Sequence, residues 1–224
     1  MRCNRIGMGI LLSLGIWGIQ ATSARADFML VSGNNPQDDE NVLLGGDLVG
    51  LQITGSTNET GTVVLFESAS QFLASPSSGQ ARIEARDTED IAATQEAIDD
   101  ALTISLQDPL LAFQSLIFNA FIGGGVGDGG ALSFTVEGFD AANNPVSETF
   151  GPEEIGNGEN FFTVLASDGQ LIQSVTISPG DDSSYADLRQ VRIGGIIPEP
   201  STVLLLLVGA PVLAWRLSAR RAER

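Results

Sequence analysis

The sequence predicts an all-β protein: an antiparallel two-sheet sandwich, jelly-roll-like, with an N-terminal signal helix and a C-terminal transmembrane helix. Three observations predict it. Short apolar runs between residues 27 and 195 alternate with polar residues at period two, as in sheets with one buried face. Clusters of Gly, Ser, Thr, Asn and Asp punctuate those runs, as turns do between short strands. The two long apolar runs lie at the chain ends. The division is therefore 1–26 signal segment, 27–195 β-sandwich body and 196–224 C-terminal tail.

In chain order the expected strands are Asp27–Ser32, Asp47–Thr54, Gly61–Glu67, Ala81–Ala85, Ala101–Gln107, Gln114–Ile122, Ala131–Phe139, Glu148–Phe150, Asn160–Ser167, Leu171–Ser178 and Leu188–Ile193. Phe134, Val136 and Gly138 share one face of their strand, and Val175 and Ile177 share one face of theirs. Asp168-Gly169 supplies the positive φ of a tight turn and predicts a hairpin over 160–178. Asn143-Asn144-Pro145 is a second turn signal. Thr88–Asp100 reads as a short helix or an acidic loop, and Gly123–Gly130 as a flexible connection. About ten strands in a body of this size suit a jelly roll, with a Greek-key immunoglobulin-like sandwich as the alternative. No fixed-period repeat is present.

The ends predict export. Arg2 and Arg5 precede an apolar segment from Ile6 to Ile19, and Ala24-Arg25-Ala26 provides small residues for cleavage after Ala26. At the other end Thr202–Trp215 is apolar and is followed by Arg216, Arg220, Arg221 and Arg224. Those arginines resist translocation and hold the tip in the cytoplasm. The run would make a helix of about 21 Å, short against a hydrocarbon core of about 30 Å, and Pro211 interrupts it. Such a segment suits a transient stop-transfer element.

Charge and composition exclude several functions. The chain carries a formal charge of −17 and no lysine or histidine; 26 of its 28 acids but only four of its 11 arginines fall in the body. This surface repels nucleic acid and anionic lipid. Without histidine there is no Ser-His-Asp or Cys-His triad and no His-bound zinc. The single cysteine, Cys3, leaves with the signal segment, so the body holds no disulfide. The glycine run 123–130 lacks the Lys-Ser/Thr end of a phosphate loop and leads into a strand. Adjacent carboxylates at Asp38-Asp39-Glu40, Asp87–Asp90, Asp99-Asp100 and Asp181-Asp182 admit a structural Ca²⁺ but show no diagnostic spacing. A glycosidase pair is uninformative among so many acids. Arg189 and Arg192, three apart in one expected strand, should face opposite sides; the favoured reading is structural ion pairs for both, and the alternative is that one pairs with an acid while the other meets a ligand. Asn58-Glu59-Thr60 fits a glycosylation sequon. Tyr185, in a polar stretch, is the aromatic expected to meet a ligand.

Ile197, then Pro198-Glu199-Pro200, Ser201, the apolar run and the arginine tip follow one another in that order. This order resembles the PEP-CTERM sorting signal of exported proteins from Gram-negative bacteria that make exopolysaccharide; Ile197 stands where the family usually has Val. The resemblance implies an exosortase as partner, with cleavage near the motif. It implies anchoring in the inner membrane before processing, and the cell surface or extracellular matrix afterwards. Gly79–Ala85, Gly158–Phe162 and Asp187–Ile193 also resemble ectodomains that carry this tail. Together these imply a non-catalytic, cofactor-free surface or matrix protein associated with exopolysaccharide and biofilm or floc formation. A carbohydrate-binding module and an envelope glycan hydrolase are the alternatives.

Overall fold

A computed structural model describes residues 28–76 and 82–198. The signal segment with Ala24 and Ala26, the residues Glu199, Pro200 and Ser201, the apolar run and the arginines from Arg216 to Arg224 lie outside the described residues. No described residue is helical, and no described helix is long and apolar enough to cross a membrane.

The first strands are β1 (Phe28–Ser32), β2 (Asp39–Leu44), β3 (Leu48–Gly50), β4 (Gln52–Thr57), β5 (Val63–Ser68), β6 (Phe72–Ser75), β7 (Arg82–Arg86) and β8 (Gln95–Glu96). They are followed by β9 (Leu102–Leu106), β10 (Leu111–Ala112), β11 (Ser115–Phe121), β12 (Gly130–Phe139), β13 (Pro145–Ile155), β14 (Phe161–Ala166), β15 (Leu171–Pro179), β16 (Asp187–Gly194) and β17 (Ile197–Pro198). Every pairing between named strands is antiparallel, as expected.

Fifteen of the described strands form one continuous path, β1-β14-β11-β16-β2-β4-β5-β9-β15-β12-β13, with β7, β6, β3 and β8 branching from β16; β10 and β17 make a separate two-stranded sheet. The link is β2. Its first half, Asp39–Asn41, pairs with β16, and its second half, Val42–Leu44, pairs with β4. The path thus has a β16 side and a β4 side, and β2 belongs to both. Phe118 of β11 and Phe162 of β14 come from the first; Phe134 of β12 comes from the second. Their ring centroids lie 4.7–5.8 Å apart in the core. Aromatic rings in tilted contact at this range combine large apolar burial with favourable quadrupole geometry.

Several local expectations meet a different outcome. Strands β2 and β6 were not anticipated, because Asp38-Asp39-Glu40 reads as a solvated cluster and Phe72–Ser75 is short. The expected 47–54 strand breaks at Leu51 into β3 and β4, and Glu148–Phe150 extends to the eleven residues of β13. Asp168 and Gly169 do take positive φ, of 51° and 82°. Yet β14 pairs with β1 and β11 while β15 pairs with β12 and β9, so 160–178 is no hairpin. The turn instead carries the chain from one side of the core to the other. Turn chemistry is local, whereas Phe162, Val164, Val175 and Ile177 each find buried neighbours on their own side. The 88–100 segment is turns and the two-residue β8. The glycine run is not a loose connection: a Cβ at Gly127 would lie 2.8 Å from the Ala186 amide nitrogen, so glycine lets it press against 183–186.

The second turn signal forms as read. β12 and β13 make a hairpin from Phe139↔Pro145, with Asn143 at φ 64°. Asp140 closes it: Oδ1 accepts from the amides of Ala142 (2.9 Å) and Asn144 (2.8 Å), and the Asn144 side chain donates to Oδ2 at 2.9 Å. The Asn144 side chain, then its amide, hold this carboxyl below the ordinary aspartate range. A depressed folded-state pKa stabilises the fold above the unfolded-state value and loses that contribution as pH falls through the folded one. Asp140→Ala is therefore expected to lower the urea midpoint at pH 7, with the gap from wild type closing below about pH 4. A gap that stays constant across that range would contradict this role.

Candidate functional site

Alternation along β7 sends Ile83 and Ala85 into the core and turns Arg82, Glu84 and Arg86 to the opposite, outer face. On β16 the core positions are Leu188, Val191 and Ile193, a spacing that is not strictly alternating. The cause is a bulge. Gln190 adopts φ 51°, and the register with β11 slips between Arg192↔Ile117 and Arg189↔Asn119. The extra residue keeps Asp187, Arg189 and Arg192 all on the outer face. The expectation that Arg189 and Arg192 point to opposite faces is thus corrected: odd spacing assumes an unbroken pleat, and Gln190 breaks it.

All four arginines of the body consequently share one outer face. Adjacent strands set them in rows: Glu84 beside Asp187, Arg82 beside Arg189, which is in turn beside Asn119, and Arg192 between Asn41 and Ile117. Glu84 is 1% exposed and is bridged by Arg82 Nε at Oε1 and by Arg86 Nη2 at Oε2, the latter at 2.7 Å. Asp187 receives Arg189 in a two-point pair, Nε to Oδ1 and Nη2 to Oδ2 at 2.7 Å. The Arg189 guanidinium carbon also sits 3.6 Å from the centroid of the Phe121 ring, a cation–π contact. Burial pushes the Asp187 carboxyl above the ordinary range, and the neighbouring Glu84 adds to this; Arg189 and Arg82 oppose it.

Among the described residues, three buried donors on this face have no hydrogen-bond partner: Arg86 Nε, Asn119 Nδ2 and Arg192 Nε. Asn119 is fully buried, and its Oδ1 accepts from the Asn160 amide at 2.8 Å. Arg192 makes no ion pair with a described residue. Arg189 is thus an ion-pair residue, as expected, and Arg192 is not. Arg82, Glu84, Arg86, Asn119 and Asp187 were not singled out from sequence. The signal was present: three of the body's four arginines fall in two expected strands, and Arg86 directly follows one of them.

Other expected site residues lie elsewhere. Tyr185 is fully buried, pairs with Ile98 and has no partner at its hydroxyl among the described residues; burial drives the hydroxyl's pKa upward. It is a core residue and meets no surface ligand. Asp99, Asp128, Asp181 and Asp182 line one open cleft with Ser183 and Ser184. No group of three or more His, Cys, Asp or Glu side chains suited to a metal ion is present among the described residues. Glu40 and Asp100 serve turns: Glu40 accepts from the Thr60 amide at 2.8 Å, and Asp100 from Ser68 and Ser70 hydroxyls at 2.9 and 2.7 Å. Of the sorting motif only Pro198 is described; it pairs with Leu111, next to Ile197↔Ala112.

No protein-family model matches the chain, and no curated protein matches it. Among solved structures, a mutant of the family 29 carbohydrate-binding module CBM29-2, complexed with mannohexaose, aligns over 78% of this chain and 92% of its own. The identity is 9% and the TM-score 0.25. The enzymatically active domain of tailspike protein 4 from bacteriophage CBA120 aligns over 76% of this chain and 19% of its own, at 14% identity and a TM-score of 0.26. Likenesses this shallow assign neither fold nor ligand.

Removing one member of a buried ion pair strands the other charge, at a cost of about 3–5 kcal/mol. Glu84→Gln, which leaves Arg86 unanswered at 7% exposure, should lose stability on that scale in urea unfolding. A loss below about 1 kcal/mol, the range of a surface pair, would contradict a structural role for Glu84.

Proposed function

We propose that this chain is an exported, non-catalytic surface or matrix protein, sorted by an exosortase and associated with exopolysaccharide and with biofilm or floc formation. One observation carries the reading: the order of Ile197, Pro198-Glu199-Pro200, Ser201, an apolar run and an arginine tip, on a chain that opens with the three parts of a secretory signal. Anchoring through the tail precedes processing, and the cell surface or matrix follows it. The body, a sandwich of jelly-roll type in this reading, is the part delivered.

The character of the body agrees with a non-catalytic role. Its carboxylates at Glu40, Asp100 and Asp140 hold backbone amides and hydroxyls of turns, and the chain contains no histidine. A second reading, a carbohydrate-binding module, is favoured by the outer face of β7 and β16. Polar and guanidinium groups are concentrated there, and three buried donors lack acceptors among the described residues. An envelope glycan hydrolase has no comparable support, and the reading calls on no cofactor.

Intact mass of the protein recovered from a native host tests the first reading. Loss of residues 1–26 in all cells, and of the tail beyond the motif only in cells with the exosortase, is the expected result. A tail retained in both hosts would overturn sorting and leave a membrane-anchored ectodomain.

A further inference from the structure

We propose that the outer face of β7 and β16, centred on Arg192 and Arg189, is a binding subsite for an anionic saccharide, one carrying carboxylate or sulfate groups. This deepens the glycan-binding reading above and rests on it. The argument begins with where the charge is. The chain is strongly acidic, yet every arginine of its body stands on this one face. Chance and solubility do not call for that concentration. A Gln190 residue held at positive φ is what brings Arg192 into line with Arg189.

The pairing is also incomplete. Glu84 answers Arg82 and Arg86, and Asp187 answers Arg189. Arg192 is left without an ion pair among the described residues, and its buried Nε has no acceptor. The acid on the same face of β2, Asp39, two residues from Asn41, is taken up by the Ser115 hydroxyl and, at 2.7 Å, by the Gln37 amide, while Glu40 accepts from the Thr60 amide. Arg192's cross-strand neighbours are Asn41 and Ile117, neither of them charged. Donors in surplus and acceptors in deficit describe a face that is completed by oxygen-rich anions. Native proteins satisfy nearly all buried donors, so Arg86 Nε, Asn119 Nδ2 and Arg192 Nε are an unusual concentration.

The geometry suits a saccharide. Successive same-face positions on a strand are about 6–7 Å apart, comparable to the width of one sugar ring. Arg189 is already fixed by Asp187 and by the Phe121 ring, so little rotamer freedom is lost on binding. Arg82 and Arg189 are 29% and 22% exposed at their side chains, open enough to be reached from solvent. The acidic remainder of the surface repels a polyanion at long range. At physiological salt that repulsion is screened beyond about 8 Å, and the local arginines decide the contact.

Titration calorimetry on the full chain in non-ionic detergent tests this, with oligogalacturonate, sulfated dextran and neutral dextran as probes. Binding of oligogalacturonate, sulfated dextran or both supports the subsite, and the stronger of the two identifies the anionic group. Arg192→Gln should weaken that binding by about tenfold or more, the scale of a lost charge-assisted hydrogen bond. Arg192→Lys should recover part of it, since charge remains and the fork is lost. The urea midpoint of Arg192→Gln should stay near wild type, because no described ion pair is broken. Wild-type affinity in Arg192→Gln would overturn the proposal. Binding of neutral dextran alone would overturn it while leaving the glycan-binding reading intact. Binding of no glycan at all would overturn both.

Discussion

Strand β16 is the element on which the rest of the structure depends. On one edge it carries β11; on the other its first half carries β7 and its second half β2. A single unbroken pleat does not serve both halves here. Gln190, at φ 51°, absorbs one extra residue and returns Val191 and Ile193 to the core after Leu188. Left-handed backbone at a non-glycine residue costs about 1–2 kcal/mol. The cost is offset by what the slip keeps in place: an apolar inner face on both halves of the strand, and one polar outer face shared by Asp187, Arg189 and Arg192. Through β2 the same strand is joined to the β4 side of the path, so the corner of the fold and the arginine face have a common origin.

The electrostatic design follows from a body without cysteine and with few cations. Nothing covalent holds the two sides together, so the contact of Phe118, Phe134 and Phe162 and the rest of the apolar core must do so. Most acids stay at turns, where Glu40, Asp100 and Asp140 accept from amides and hydroxyls and so cap chain reversals. Among the described residues, the acids both buried and within a strand are Glu84 and Asp187. They are buried side by side in cross-strand register, a repulsive placement that only the adjacent arginines make tolerable. The pair therefore fixes the arginines as much as the arginines fix the pair.

The sequence was legible wherever one face of a strand is buried and period two survives, as in β12, β15 and β9. It was less so where a strand is polar or very short, as in β2, β6 and β10. Asp39–Asn41 reads as solvated, yet its backbone is committed to β16. Asp168-Gly169 was correctly read as a turn and wrongly read as a hairpin, because turn chemistry fixes the reversal and packing chooses the partner. Tyr185 sits among polar neighbours in sequence but under the Ile98 bridge in space. For the site, the arginines were visible and their common face was not, since no rule of spacing anticipates a bulge at a glutamine. The sorting motif stands on sequence, with Pro198 alone among the described residues.

The bulge in β16 is tested most directly by thiol labelling of Arg189→Cys and Arg192→Cys variants made in a Cys3→Ser background, since Cys3 is the single cysteine of the sequence. Both thiols should react readily in the folded protein with a small maleimide, while a Leu188→Cys control, fully buried, stays protected. Protection of only one of the two thiols, to the level of that control while the other reacts, would mean that the two positions straddle the sheet. The bulge, and with it the shared arginine face, would then be wrong.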